Sequence, residues 1–139
     1  MAVDSQVENG LKLMPKFDAS GLLPCVTIDV ETERVLMVAY MNEEALRLTI
    51  STKRATYFTR SRKKIWVKGE SSGHFQEVKE LLVDCDQDCI ILKVKQAGAA
   101  CHTGFPSCFY RRLKPGTENE LEMLGDERQF DPAKVYTTT

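Results

Sequence analysis

Clustered cysteines are the residues of this sequence with the clearest capacity for chemistry. Cys108 follows Cys101 by 7 residues, and Cys85 precedes Cys101 by 16. Zinc prefers thiolate and imidazole ligands, and a catalytic zinc commonly keeps three protein ligands and one position open for water. Three cysteines from separate loops therefore favour a catalytic zinc site, since the tight Cys-x-x-Cys pairs of structural zinc do not occur. Buried thiols and a four-ligand structural site remain the alternatives at this point.

His102 and His74 are the two histidines of the chain. Because His102 adjoins Cys101, it could be a fourth zinc ligand or a general base. Water on a three-thiolate zinc should be less acidic than water on a three-histidine zinc, so we interpret His102 as the catalytic base. A loop histidine without a role is the alternative, and we interpret His74 as structural or peripheral. Cys25 and Cys89 are interpreted as small buried hydrophobes.

Three carboxylates alternate around Cys85, at Asp84, Asp86 and Asp88. In an extended segment they would face one side together, and Cys85 would face the other side. Carboxylate oxygens suit a hard ion such as Mg²⁺. The pattern therefore predicts a magnesium site, with a solvated turn as the alternative, because aspartate is a common turn residue.

A basic stretch and a loop with two glycines and two serines surround the one tryptophan. Arginine, serine hydroxyls and glycine-loop amides together can hold phosphate, and an indole offers a face on which a base can stack. A solvated charged face is the alternative. Walker and Rossmann glycine patterns do not occur. The predicted substrate-binding residues are Arg60, Ser61, Arg62, Trp66, Lys68, Gly69, Glu70 and Ser71.

Short apolar runs predict a succession of strands. Asn42 before Glu43 and Glu44 is a helix-start signal, because asparagine caps free N–H groups and the helix dipole favours acids there. That helix is expected to end near Ser51. Strands are predicted over residues 22–30, 35–40, 56–59, 65–67, 75–83, 90–94 and 108–113, with a helical turn within 118–124. The sequence thus predicts an α+β fold, a β-rich single domain with one or two short helices.

Composition is typical of a soluble globular domain. The 139 residues are 42% hydrophobic and 28% charged, and the formal net charge of −1 gives no bias toward nucleic acid or anionic membrane. No apolar run approaches the roughly 20 residues of a membrane span, and the polar start does not have the pattern of a signal peptide. We therefore expect a cytoplasmic protein. We divide it into a polar, loose lead-in (1–18), a main domain (19–113) and a charged tail (114–139).

Several motifs in order resemble the phosphoribosyl-AMP cyclohydrolase family of histidine biosynthesis, over residues 21–112. They are Ala39-Tyr40-Met41-Asn42, Thr59-Arg60-Ser61-Arg62, Trp66-Val67-Lys68-Gly69-Glu70-Ser71-Ser72-Gly73, Asp84-Cys85-Asp86-Gln87-Asp88, Val94-Lys95-Gln96, Ala100-Cys101-His102-Thr103-Gly104 and Ser107-Cys108-Phe109-Tyr110. The chain departs from the family pattern at Thr52-Lys53, where many relatives have Thr-Gly, at Thr59, where serine is commoner, and at Cys89.

The resemblance implies hydrolysis of the N1–C6 bond of the adenine ring in phosphoribosyl-AMP, giving an opened formimino-carboxamide ribonucleotide. It implies zinc on Cys85, Cys101 and Cys108, and Mg²⁺ on the three aspartates. It also implies an intertwined homodimer, in which each zinc site takes Cys85 from one subunit and the other two cysteines from its partner. Because few residues follow the matching segment, we expect the stand-alone form of the enzyme, without a fused second domain.

Two rival functions follow from the same residues. A zinc deaminase would attack the same purine carbon, but its H-x-E and P-C-x-x-C signature is absent. A small zinc-stabilised nucleic-acid-binding module would use the basic segment 60–68 on RNA. It would require a closed four-ligand zinc and would lose its fold on chelation. The near-neutral net charge argues against it.

Overall fold

A mixed six-stranded sheet forms the body of the protein. The computed structural model describes residues 5–126. The sheet order is β4-β3-β2-β1-β6-β5, with β1 and β6 parallel and the other neighbours antiparallel. The elements are α1 (Ser5–Asn9), β1 (Leu23–Asp29), β2 (Val35–Met41), α2 (Glu43–Thr52), β3 (Thr56–Thr59), β4 (Lys64–Val67), β5 (Gln76–Val83), β6 (Ile90–Gln96), β7 (Arg111–Leu113) and β8 (Leu121–Met123). The predicted α+β, β-rich class is confirmed.

The start of edge strand β5 contacts the segment that leads into β3. Arg54 and Glu77 form an isolated antiparallel bridge, and Ala55 N–H donates to the Gln76 carbonyl at 3.0 Å. The sheet therefore curls around its inner side chains. These are almost fully buried and include Leu23, Cys25, Met41, Tyr57, Ile90, Leu92 and Val94.

The predicted helix is confirmed as α2. The Asn42 side chain accepts the Ala45 N–H at 2.8 Å, so it caps the helix as expected. The helix buries Ala45, Leu46 and Thr49, which pack it onto the sheet. It ends at Thr52, and the capping residue Lys53 adopts the left-handed backbone conformation with φ 59°.

A chain of hydrogen bonds crosses the core. The Tyr57 hydroxyl donates to Gln76 Oε1 at 2.6 Å, so the Thr27 hydroxyl, 2.7 Å away, donates to Tyr57. Gln76 Nε2 donates to Gln96 Oε1 at 2.8 Å. Gln96 Nε2 then donates to the carbonyls of His74 and Ala97, both at 3.0 Å. The core is thereby tied to the loop that follows β6.

The outer face of the sheet carries an apolar row across four strands. Val38, Val26, Ile91 and Leu82 are direct neighbours in register, from β2 through β1 and β6 to β5. Val38 is 49% exposed and Ile91 is 36% exposed. Residues on this face alternate with the buried ones, as the two-residue period of strands requires.

Three local expectations differ from the structure. The helical turn within 118–124 is wrong, because Leu121 to Met123 form β8, which pairs with β7. The last strand is shorter than 108–113, since only Arg111–Leu113 are paired. The lead-in contains helix α1. The β7–β8 ribbon crosses the proposed domain boundary after residue 113, and residues 127–139 of the tail lie outside the described part. No helix within residues 5–126 has the length and apolarity to cross a membrane.

Candidate metal and active site

Cys101 and Cys108 come together in the loop after β6. A turn closes the first half of the loop, where Gly104 N–H donates to the Cys101 carbonyl at 3.0 Å. The second half is held by β2, because Cys108 N–H donates to the Leu36 carbonyl at 2.7 Å and buried Ser107 donates to Val35 O at 2.7 Å. The strand edge thus places the Cys108 thiol against the Cys101 thiol.

The Cys101 thiol affects the ionisation of its neighbour Cys108. Burial, followed by the charge and hydrogen bond of the neighbouring Cys101, raises the pKa of Cys108 to about 11, while Lys68 acts in the opposite direction. Cys101 is buried, and its sulfur lies 2.8 Å from Thr103 Oγ1. Without a cation, Cys108 therefore favours its protonated form; a metal ion that binds the thiolate reverses this preference.

Lys68, which directly follows β4, lies beside this thiol pair. Its Nζ donates to the Ala100 carbonyl at 2.6 Å, directly before Cys101, and lies 5.6 Å from the centre of the Trp66 ring. Burial lowers the pKa of Lys68, and the Cys108 and Cys101 thiols oppose that change. The structure therefore brings predicted residues from two separate segments to one place.

The two histidines flank the same loop. His102 is exposed beside Cys101, where its imidazole is accessible to a substrate. His74 packs at the base of the loop, where a Cβ built on Gly98 would lie 2.6 Å from His74 Cδ2. Gly98 also has φ +71°, so glycine is required there for both reasons.

The carboxylates of Asp84, Asp86 and Asp88 form a cluster in which one oxygen from each lies within 4.8 Å of the others. The segment forms a turn, in which Asp84 Oδ1 accepts the Asp88 N–H at 3.0 Å. Proton sharing raises the pKa of Asp88 to about 6, chiefly through Asp84, and lowers the pKa of Asp86 through Asp88. Three carboxylates at this separation, two of them exposed and that of Asp86 half-buried, can hold a divalent cation.

Gln87 anchors this acidic turn, and the sequence analysis did not single it out. Its side chain is buried, accepts the Met14 N–H at 2.6 Å and donates to the carbonyls of Val7 and Lys12 at 3.0 and 3.2 Å. The predicted loose lead-in is therefore hydrogen-bonded to the turn. A glutamine between aspartates carries no local signal for such distant partners.

Cys85 is exposed on the acidic turn and does not join the other two thiols within the described chain. The turn precedes β6, and the loop with Cys101 follows it. A strand of seven residues spans about 20 Å, whereas a zinc–sulfur bond is about 2.3 Å. One copy of the described chain therefore presents two thiols in one place and the third elsewhere.

The predicted substrate residues fall into two groups, separated by β4. Arg60, Ser61 and Arg62 lie in the β3–β4 turn, where the Arg60 guanidinium lies 4.1 Å from the centre of the Tyr40 ring. Trp66 of β4 is half-buried beside Tyr57, with ring centres 5.3 Å apart.

Past the other end of β4, Lys68 begins the turn that also contains Gly69, Glu70 and Ser71. Gly69 is closely packed, since a Cβ there would lie 2.4 Å from the backbone of His74. The backbone at Lys68 is therefore held firmly, and Lys68 is the member of this second group that borders the thiol pair.

A cavity of about 530 Å³ at the end of β6 has cationic walls that the sequence analysis did not single out. Lys53, Arg54 and Lys95 line it together with Glu77 and Phe75, and the Arg54 guanidinium lies 3.9 Å from the centre of the Phe75 ring. These residues are far apart in the sequence, so no local pattern could have joined them.

A β-rich domain that combines a thiol pair, an adjacent histidine and a carboxylate cluster belongs in the broad class of metal-dependent enzymes. Comparison with known proteins narrows that class. Residues 37–110 match the family model described as phosphoribosyl-AMP cyclohydrolase. The segment contains both candidate metal sites. On this match and on the relatives below, the chain belongs to the phosphoribosyl-AMP cyclohydrolase family, whose members are metal-dependent hydrolases of histidine biosynthesis.

Three bacterial relatives, each named phosphoribosyl-AMP cyclohydrolase, illustrate the similarity. The protein of Rhodopseudomonas palustris (strain BisB5) is 56% identical over 94% of this chain and 90% of its own length. That of Nitrobacter winogradskyi is 56% identical over 95% and 92%. That of Bradyrhizobium diazoefficiens is 53% identical over 94% of both chains. The predicted family is confirmed.

Proposed function

We propose that this protein hydrolyses the N1–C6 bond of the adenine ring in phosphoribosyl-AMP, the third step of histidine biosynthesis, in the cytoplasm. The observation that carries the proposal is the Cys101–Cys108 thiol pair with His102 and Lys68 beside it, inside the segment that matches the family. This grouping supplies metal ligands, a candidate base and a fixed cation at one place.

The donor atoms suit two different metal ions. Thiols at Cys101 and Cys108 suit zinc, and the three carboxylates at Asp84, Asp86 and Asp88 suit Mg²⁺. Bound zinc would supply an acidified water close to the substrate. The identity of both ions is part of the proposal.

The residues of the chain then have separate roles. The thiolates of Cys101 and Cys108 lie side by side, because β2 anchors Cys108 and the loop turn positions Cys101. His102 accepts a proton from the water that attacks C6 and returns it to N1 as the C6–N1 bond breaks. The reaction consumes one water, and the opened product retains both phosphates.

The substrate carries two phosphate monoesters, and two cationic surfaces can accept them. The predicted turn with Arg60, Ser61 and Arg62 is one. The cavity with Lys53, Arg54 and Lys95 is the other, and its three cations against one carboxylate match the charge of about −2 on a phosphate monoester. Gly69, Glu70, Ser71 and Trp66 remain our candidates for contacts with ribose and base.

The third zinc ligand is proposed to come from a second copy of the chain. Cys85 is exposed and lies beyond β6 from the other thiols, so a second subunit is the simplest source of a third thiolate. The apolar row on the outer face of the sheet is a surface that association would remove from water.

Phosphoribosyl-AMP itself provides the test. Zinc-loaded protein with Mg²⁺ is mixed with the substrate, and ring opening is followed in the ultraviolet, with Cys101→Ala as the matched control. We expect turnover by the wild type that the variant loses. No turnover by folded, metal-replete wild type would remove the proposed activity and favour the nucleic-acid-binding alternative.

A further inference from the structure

Contacts within the protein hold the ammonium group of Lys68 in place without a substrate phosphate. Its Nζ donates to the Ala100 carbonyl at 2.6 Å, and this carbonyl belongs to the peptide that leads into Cys101. The side chain is half-buried, and within residues 5–126 no salt bridge pairs it with a carboxylate. The ionisable groups that raise the pKa of Lys68, against the effect of burial, are the Cys108 and Cys101 thiols.

The backbone leaves Lys68 little freedom to point elsewhere. Its N–H donates to the Ala55 carbonyl at 3.0 Å, which continues the pairing of β4 with β3. The next residue, Gly69, has φ +90° and is packed against the backbone of His74 and Phe75. The lysine is thus held on both sides while its side chain runs along Trp66 toward the thiols.

The positive charge of Lys68 can balance the net charge of a zinc ion bound by three thiolates. Two thiolates balance a divalent ion, and a third thiolate leaves a net charge of −1 in a partly buried site. A fixed cation beside the ligands offsets that charge, and its effect is larger where water is excluded. Groups that orient and balance metal ligands in this way commonly change metal affinity by about 10–100-fold when removed.

We propose that Lys68 is a positioning residue of the thiolate site, which orients the Cys101 peptide through the Ala100 carbonyl and balances the charge of the metal-bound thiolates, and is not primarily a phosphate ligand. This inference rests on the proposed function, because it concerns the same thiolate site. It replaces the sequence-based assignment of Lys68 to substrate binding with a role in holding the metal ligands.

Zinc affinity separates the two roles without the substrate. Full-length wild type, Lys68→Met and Lys64→Met are each titrated with zinc against a chromophoric chelator at fixed protein concentration. Lys64 is an exposed lysine at the start of β4, the strand that Lys68 follows, so it is a matched control for loss of charge. We expect zinc affinity to fall at least 10-fold in Lys68→Met and to stay unchanged in Lys64→Met.

Kinetics with phosphoribosyl-AMP at saturating zinc provide the second readout. We expect Lys68→Met to lower kcat and leave KM within about twofold of wild type, since the binding of the phosphates does not depend on this residue. Unchanged zinc affinity with a raised KM would overturn the inference while wild-type turnover still upholds the proposed function. If Lys68→Met loses zinc affinity while wild type shows no turnover of phosphoribosyl-AMP, the inference about Lys68 stands and the proposed function fails.

Folding is checked by circular dichroism of each variant. If Lys68→Met does not fold, Lys68→Gln replaces it, because glutamine is uncharged and retains a donor group. Zinc affinity of Lys68→Gln equal to that of wild type would contradict the charge-balancing role.

Discussion

Lys53 adopts a backbone conformation that glycine adopts at much lower cost. It ends helix α2 with φ 59° and ψ 21°, and its N–H donates to the Thr49 carbonyl at 3.0 Å. A side chain in the left-handed region is strained, and glycine is the usual residue at such a helix end. The side chain of Lys53 also lines the cationic cavity and contributes a positive charge there, which glycine would not.

Replacing Lys53 by glycine should therefore stabilise the fold and weaken substrate binding. Relief of the strain, partly offset by the greater chain entropy of glycine, should raise the free energy of unfolding by up to about 1 kcal/mol. Loss of one of three cations should raise KM for phosphoribosyl-AMP several-fold. Urea unfolding and steady-state kinetics measure the two effects.

Glu33→Gly is the matched control for this change. Glu33 also has a positive φ, of 61°, but lies in the β1–β2 turn and does not line the cavity. It should gain stability without a change in KM. A KM for Lys53→Gly equal to that of wild type would exclude a role for the cavity in holding phosphate.

At the scale of elements, the curled sheet encloses polar groups that must be paired. Tyr57, Thr27 and Gln76 are all fully buried, and their hydrogen bonds run in one direction toward the loop after β6. A buried group that loses its partner keeps the full cost of its desolvation. The network therefore specifies how β1, β3, β5 and β6 fit together.

Tyr57→Phe should destabilise the protein, because it leaves Gln76 Oε1 and the Thr27 hydroxyl without their partner. We expect a loss of about 1–3 kcal/mol in the free energy of unfolding at neutral pH. Tyr40→Phe, at a partly exposed tyrosine on β2, is the control and should change stability little. Equal stability of Tyr57→Phe and wild type would mean that the network contributes no net stability.

The same comparison has a predicted pH dependence. Burial raises the pKa of Tyr57 well above its usual value near 10. A raised folded-state pKa contributes stability that is fully present below the unfolded value and is lost as the pH rises above it. The difference in stability between wild type and Tyr57→Phe should therefore narrow above pH 10, which urea unfolding at alkaline pH measures.

At the scale of the whole molecule, the described chain holds only part of the proposed zinc site. The thiols of Cys101 and Cys108 are neighbours after the end of β6, whereas Cys85 is exposed before the start of β6. A shared site in a symmetric dimer would bring one Cys85 from each subunit to the thiol pair of the other.

Co-expression of Cys85→Ala with Cys101→Ala tests this sharing directly. Each variant alone should be inactive. In a mixed dimer one of the two sites would contain only wild-type cysteines, so a random mixture should recover about one quarter of wild-type activity. No recovery in purified mixed dimers would show that all three cysteines act within one chain.

Local sequence patterns were sufficient to predict much of the fold of this protein and its family. The strands of the main sheet, the Asn42 cap and the family followed from residue periodicity, capping chemistry and motifs, which depend on neighbours along the chain. Of the β7–β8 ribbon, β7 lies within the strand predicted over 108–113, whereas β8 was missed because a three-residue strand depends on pairing with its partner more than on its own pattern.

Tertiary structure decided which chemically active side chains meet. The parallel pairing of β1 with β6 and the curl of the sheet place Lys68 beside Cys101 and Cys108, separate Cys85 from them and bring Lys53, Arg54 and Lys95 around one cavity. A turn, and not strand alternation, gathers the three aspartates. Such meetings depend on how distant segments pack, and that information is not contained in the spacing of residues along the chain.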